Sequence, residues 1–575
     1  MKPLACRHSR SLLAFLLISL IAQAPAMAKA GEGRPSPSRP PACAPAWARM
    51  TTPNASAKSF LYGIDGTSAN DVWAVGEWAD EDFLVQTLVE HWNGSAWSVV
   101  PSPNVGGGTN GLRGVTAVSP SAAWAVGETV VSADGSHTLV ERWNGSAWVV
   151  EASPNVGPGD NVLTAVSASS ASDVWAVGSY LDAGTETYRT LALHRNGTAW
   201  SVVPTPNVGT AGSYLTGVTA RTSSDAWAVG HSIDVASGRL KTLVMRWNGT
   251  AWSLVPSPNP SSSGDNVLSS VAASSSTAAW AVGYQRTTIT QNLALRWNGS
   301  AWSATGTPNP GSTDNSLSGV AAIGGADVFA VGTYSGGGVR HPAAQHWDGT
   351  SWRTVSTPTL PSANSGYVNN VLASASAIDG QVWAAGQHFE SDQGNETLAE
   401  RICPVRVLDS GFSPSSGTVR YGETVSWSFP ATNAQSHSIA DDSGLVLFAS
   451  GTRAPGSSFA FDYIAGGSYP VVDATTGKRG TIKVNPGVTP ASGGTGTQFT
   501  VTWSSASAPS GYVFDSQIKR PGSSQWSDWK VGKTGTSSTF VPDSGQGEYS
   551  FRSRMRKTSN GAASGWSPAV SVQVN

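Results

Sequence analysis

Six short stretches of this chain gather side chains able to hold a ligand. The first carries Trp78, Asp80, Glu81 and Asp82; the second Tyr180, Asp182, Glu186 and Tyr188; the third His231 and Asp234. The others hold Tyr284 with Arg286, Tyr334 with Arg340 and His341, and His388 with Glu390 and Asp392. Flat aromatic faces stack on a sugar ring or a peptide side chain, while carboxylates and imidazoles fix hydroxyls and amides. Trp78, Asp80, Tyr180, His231, Tyr284, Tyr334 and His388 are therefore the candidate ligand-binding residues, and no residue is assigned a catalytic role. The sequence holds no Walker loop, no zinc-type Cys/His cluster and no nucleophile elbow. Paired carboxylates for glycoside hydrolysis meet in space and not in sequence, so a hydrolytic reading stays open at this stage.

The elements that must position these side chains are repeats. Asp71-Val72-Trp73-Ala74-Val75-Gly76 returns around Trp124, Trp175, Trp227, Trp280, Phe329 and Trp383, a period near fifty residues. Trp92-Asn93-Gly94-Ser95-Ala96-Trp97 returns at Trp148, Trp200, Trp252, Trp302 and Trp352. In the unit between Asn104 and Asn155, strands are expected over 112–117, 122–129, 138–143 and 147–151. The last two are joined by an Asn-Gly hairpin, expected to be a type I′ turn with positive φ at both central positions. Four antiparallel strands repeated in tandem describe β-propeller blades. The first motif occurs seven times but the hairpin only six, because the last unit runs out at Glu400-Arg401-Ile402-Cys403. The missing strand lies at the other end: in 46–54, Trp47 has the same spacing to Pro53-Asn54 as Trp97 has to Pro103-Asn104. Cys43 and Cys403 both map to the Asn of the hairpin, so a Cys43–Cys403 disulfide should replace the absent turn. Closing so long a loop stabilises by about 4–5 kcal/mol.

Residues 43–403 resemble the seven-bladed propellers of kelch or galactose-oxidase type, without the kelch Gly-Gly pair and without a sialidase Asp-box. That resemblance implies copper held by Tyr and His with a Tyr–Cys crosslink, but the two cysteines are committed elsewhere, so no cofactor is expected. His91, Arg142, His194, Arg246, Arg296, His346 and Arg401 form a sevenfold basic set, read first as stacking partners of blade tryptophans. Ser59, Asn110, Asn161, Ser213, Asn266, Asn315 and Asn370 stand at inner-strand entries, as caps or as channel-mouth residues.

Residues 404–486 resemble a cupredoxin, the plastocyanin-like sandwich, through Gly411-Phe412-Ser413-Pro414, 418–427, Ser436-His437-Ser438-Ile439 and Gly480-Thr481-Ile482. His437 occupies the first copper-ligand position of that family. The Cys, His and Met positions hold Val472, Thr475 and Lys478, so the fold is expected without type 1 copper and His437 is a vestige. Residues 487–575 resemble a fibronectin type III sandwich, with Tyr549 as corner tyrosine and Arg552, Arg554 and Arg556 interleaving with Trp566.

Bulk properties bound the function. Charged residues make up 13% of the 575 and the net charge is −2, which is not the footprint of a nucleic-acid binder. Residues 1–30 read as a signal peptide, with Lys2, Arg7 and Arg10 before a short apolar core and Ala26-Met27-Ala28 or, alternatively, Ala28-Lys29-Ala30 as cleavage site. A Pro/Ser-rich spacer follows over 31–42, and no later stretch is apolar enough to span a membrane. The expectation is a secreted, monomeric, all-β protein: a seven-bladed propeller closed by an N-terminal strand, then two β-sandwiches. It binds carbohydrate or an extracellular protein on the propeller face and is not an enzyme. The alternatives are a secreted carbohydrate-active enzyme and, less favoured by the ligand positions, a copper electron-transfer protein.

Overall fold

The computed structural model describes residues 43–131, 135–358, 370–390 and 394–575. The expected signal peptide (1–30) and spacer (31–42) lie outside the described residues. Every regular element among the described residues is a β-strand, and no helix is long and apolar enough to cross a membrane.

Seven consecutive four-stranded antiparallel sheets form a β-propeller. The first blade comprises Ser59–Ser68, Asp71–Ala79, Val85–Trp92 and Trp97–Val99. Five more follow over 110–150, 161–202, 213–254, 265–305 and 315–355. The strand bearing Trp-Ala-Val-Gly is apolar on both sides because each blade is covered on both faces by its neighbours. Trp73 and Val75 pack with Leu112, Val115 and Trp148 of the second blade. Such shared cores recur at each boundary and complete the ring where Met50, Trp383 and Ala385 meet Leu61, Ile64 and Trp92. The glycine ending the motif sits opposite a bulge in the inner strand: a Cβ on Gly178 would overlap the Val162 carbonyl oxygen, so only glycine fits.

The seventh blade has three consecutive strands, Val371–Ile378, Gln381–Glu390 and Gly394–Ile402, and takes Ala48–Met50 as its fourth. Ala48 pairs with Arg401 and Met50 with Ala399. Trp47 meets Phe329 edge-on at 6.2 Å, as Trp148 meets Trp73 at 5.2 Å. The Pro-Asn motif is a clamp: Asn54 Oδ1 accepts from the Thr397 N–H at 2.8 Å, just as Asn104 Oδ1 accepts from Thr87 at 3.0 Å. Cys43 and Cys403 form a disulfide with Cα atoms 5.7 Å apart. The Cys403 N–H donates to the Ala44 carbonyl at 2.9 Å.

The hairpin differs from the expected type I′ turn. Only Gly94 has positive φ (+91°), and the Asn93 backbone does not enter that region. Asn93 Oδ1 instead accepts from the Ser95 and Ala96 N–H groups, both at 3.0 Å, and from the Ser95 hydroxyl at 2.7 Å. The side chain closes a four-residue loop between the paired Trp92 and Trp97, which removes the need for left-handed asparagine.

Beyond the ring lie two pairs of sheets. Over 405–485, two four-stranded sheets enclose Val425, Trp427, Phe429, Tyr463 and Val484. Over 487–574, a three-stranded and a five-stranded sheet enclose Phe499, Ile518, Tyr549 and Phe551. Tyr549 Oη accepts from the Ser544 N–H and donates to the Gly545 carbonyl, 2.7 and 3.0 Å away. The first pair packs on the sixth blade: Arg353 donates to the Ala460 carbonyl at 3.1 Å, and Ser458 Oγ lies 3.0 Å from His346 Nε2. Ala46 is buried in its core, so the N-terminal segment belongs to the propeller and the sandwich at once.

Candidate functional site

Each inner strand carries a bulge just after its leucine, which turns a single residue out of the pairing ladder, and six of the seven carry a second near the far end of the strand. The bulged residues after the leucine are Tyr62, Arg113, Thr164, Thr216, Ser269, Ser318 and Ala373. In the third and fourth blades a threonine hydroxyl there donates to the next blade's backbone, Thr164 to Leu215 at 2.8 Å and Thr216 to Leu268 at 2.7 Å. The first and second blades break this pattern with a tyrosine and an arginine. Tyr62 Oη donates to Glu77 Oε1 at 2.9 Å. The Arg113 guanidinium spans Glu77 (3.1 Å) and Glu128 (3.2 Å) and covers the Tyr62 ring at 4.7 Å. Burial, then the Glu77 charge, push the Tyr62 hydroxyl well above its usual range, so it is a donor at all ordinary pH. Burial works against the Arg113 charge, but Glu77, Tyr62 and Glu128 outweigh it.

At the same end of the strands, the third and fourth blades form an aromatic strip. Tyr188 and Tyr214 rings lie 5.3 Å apart, and Tyr214 stacks on His231 at 4.9 Å and 19°. Tyr188 Oη donates to Asp160 Oδ2 at 3.0 Å. Burial pushes His231 down to about 4 against the pull of Asp265, so the imidazole is neutral at neutral pH. Asp265 accepts from the Leu240 N–H at 3.1 Å and from Arg286 at 2.8 Å. Burial disfavours its charge, but these donors hold the carboxyl below the usual range.

Strand alternation divides the seven residues singled out from the sequence. His231 and Tyr284 directly follow the motif glycine; both feel the charge of Asp265, which lies on the blade after that of His231 and on Tyr284's own blade. Trp78, Tyr180, Tyr334 and His388 stand one position further along, on the opposite side of their strands. Trp78 and Tyr180 pack against the cores shared with the preceding blades. Tyr334 stacks on His341 at 4.9 Å. His388 is wholly buried, with Arg49 of the donated strand donating to its ring at 2.6 Å. Asp80 organises its own loop, accepting from the Leu84 N–H at 2.9 Å and from Gln86 at 3.3 Å. Of the seven, the structure thus brings His231 against the aromatic strip, sets Tyr284 within the influence of the same Asp265, and distributes the other five. Tyr62, Arg113, Glu77 and Tyr214 are not among the residues singled out from the sequence; the position directly after the inner-strand leucine, which holds Thr, Ser or Ala in the other five blades, is the signal that sets Tyr62 and Arg113 apart.

The sevenfold basic set stacks on motif aromatics. His91 lies 4.0 Å from Trp73, His194 4.1 Å from Trp175 and His346 4.2 Å from Phe329, while Arg246 covers Trp227 at 4.8 Å. The inner-strand Asn and Ser residues are buried; Asn110 Oδ1 accepts from the Val105 N–H and its Nδ2 donates to the Gly108 carbonyl, at 3.0 and 2.9 Å. Buried His437 bonds Asp473 through Nδ1 at 2.8 Å and Asp409 through Nε2 at 3.0 Å. Asp473 also accepts from the Thr475 N–H at 3.1 Å.

No family model matches the chain, and no curated protein does. Among solved structures it is similar to YCF48 bound to a peptide, at 13% identity over 64% of this chain and 98% of that one, TM-score 0.37. It is similar to a fungal alcohol oxidase in complex with copper, at 12% identity over 92% and 98%, TM-score 0.36. An ulvan polysaccharide lyase with a bound sugar is similar at 11% identity over 63% and 95%, TM-score 0.38. The propeller itself rests on the strand pairing above and not on these likenesses.

Proposed function

We propose that this is a secreted, non-catalytic protein that binds carbohydrate on the propeller face carrying Tyr188, Tyr214, His231 and Tyr284. The observation that carries the reading is the neutral aromatic strip, in which Tyr214 lies between Tyr188 and the uncharged His231. Stacked rings beside hydrogen-bonding groups suit a sugar, whose faces are apolar and whose rim is hydroxyl. Against a hydrolytic role stands the engagement of nearby carboxylates: Glu77 and Glu128 hold Arg113, and Asp265 holds Arg286. A general acid needs a carboxyl free to give its proton.

The two C-terminal units are, on this proposal, a cupredoxin-like sandwich without a copper set and a fibronectin type III-like sandwich, both acting as spacers. Supporting the first is His437, whose two ring nitrogens both face carboxylates. A glycan array with the full chain tests the function. Tyr214→Ala should weaken the best glycan at least tenfold, about 1.4 kcal/mol, and His231→Ala should weaken it in the same direction. Full binding by both variants, or cleavage of the bound glycan, overturns the reading.

A further inference from the structure

We propose that the outer face of the five-stranded sheet in 487–575 is a second binding site, for an acidic polysaccharide. This part of the chain differs in charge from the rest: residues 487–575 carry eight Lys and Arg against four Asp and Glu, in a chain of net charge −2. The cations are layered with aromatics. Arg552 lies over both Trp526 (4.4 Å) and Trp566 (5.0 Å), Arg554 lies over Trp566 at 4.5 Å, and Lys519 approaches Trp526 at 5.6 Å.

Three guanidiniums, Arg552, Arg554 and Arg556, project from alternate positions of Gly547–Lys557, roughly 7 Å apart by strand geometry. Between them they have one carboxylate, Asp515, which takes Arg554 at 3.2 Å and Arg556 at 2.8 Å. Arg552 donates only to the amide oxygen of Gln517, at 2.9 and 2.6 Å. The Gln517 amide nitrogen in turn donates to Asp528 at 2.9 Å. Arg552 and Lys519 therefore have no carboxylate partner among the described residues, and Arg552 lies under repulsion from Arg554. An anion here gains charge-assisted hydrogen bonds and relieves that repulsion.

Charges spaced along one strand call for a ligand with anionic groups repeated along a chain. Nucleic acid has that property too, but single strands are held by stacking bases on open aromatic faces. The faces of Trp526 and Trp566 are already taken by guanidiniums and an ammonium. A chain of uronate or sulfated sugars needs the cations alone.

The test uses the full chain with heparin decasaccharide and polygalacturonate as probes, titrated calorimetrically at two salt concentrations. Binding of either probe should weaken steeply with salt. Arg552→Gln should weaken it at least fivefold. Because Arg552 lies over two tryptophans, a second variant, Lys519→Gln, removes only the more distant ammonium over Trp526 and should also weaken binding at least threefold with an unchanged melting temperature. Equal affinity of wild type and both variants overturns the site. So does tighter binding to a 20-mer DNA or to phosphatidylglycerol vesicles than to both polysaccharides.

Discussion

Arg113 and His231 show what single residues do once the frame is fixed. Arg113 neutralises Glu77, a carboxylate only 8% exposed, and also holds Glu128. Arg113→Met should cost about 2–4 kcal/mol in urea unfolding, because one partner of a largely buried pair is left uncompensated; adding Glu77→Gln should recover part of it. His231 should titrate by NMR with a midpoint near 4, the value set by its burial. Because the folded midpoint lies below that of the free imidazole, its contribution to stability is present above about 6.5 and is lost as pH falls towards 4. A midpoint near 6.5 would mean the ring is solvated and not in the stack. The candidate loops were legible in the sequence because they vary where the repeat is constant. Which side of a strand a residue occupies was not: His231 and Tyr284 differ from Tyr334 and His388 by one position, and one position reverses the face.

Within the blades, the third strand carries buried carboxyls at Glu90, Glu141 and Glu400, and Gln345 at the same position of the sixth blade. Burial pushes each of the three acids up to about 8; the Thr397 hydroxyl, the Ser102 hydroxyl and the Arg49 charge respectively pull back. The folded state therefore keeps protons that the unfolded chain releases above about 4.5. Stability from these groups should fall as pH rises from about 4.5 to 8, by up to ~1.4 kcal/mol per pH unit per group. The triple variant Glu90→Gln, Glu141→Gln, Glu400→Gln should flatten that slope and be more stable than wild type at pH 8. Gln345, which donates to the Pro308 carbonyl at 2.7 Å, shows that an amide fits there. An unchanged pH slope in thermal unfolding would refute the assignment. Strand order, blade number and the two-sided burial of Trp-Ala-Val-Gly could be read from period and composition. The turn type could not, because Asn-Gly also marks a loop closed by the asparagine side chain, and local sequence does not separate the two.

For the whole molecule, the shared cores make each blade dependent on its neighbours, so the seam between first and last blades decides whether the ring holds. The donated strand Ala48–Met50, the Asn54 clamp, Trp47 and the disulfide all act at that seam. The same segment carries Ala46 into the adjacent sandwich core and offers the Pro45 carbonyl to the Ser426 N–H at 3.2 Å. The closure was legible because a repeat missing one strand at its end and showing an extra one at its start has a single economical solution. The docking of the sandwich on the sixth blade was not, since Arg353, His346 and Ser458 carry no pattern of their own. Non-reducing peptide mapping of the oxidised full-length protein tests the closed ring most directly. It should yield one crosslinked peptide pair containing Cys43 and Cys403; recovery of both cysteines as free thiols would contradict the closure.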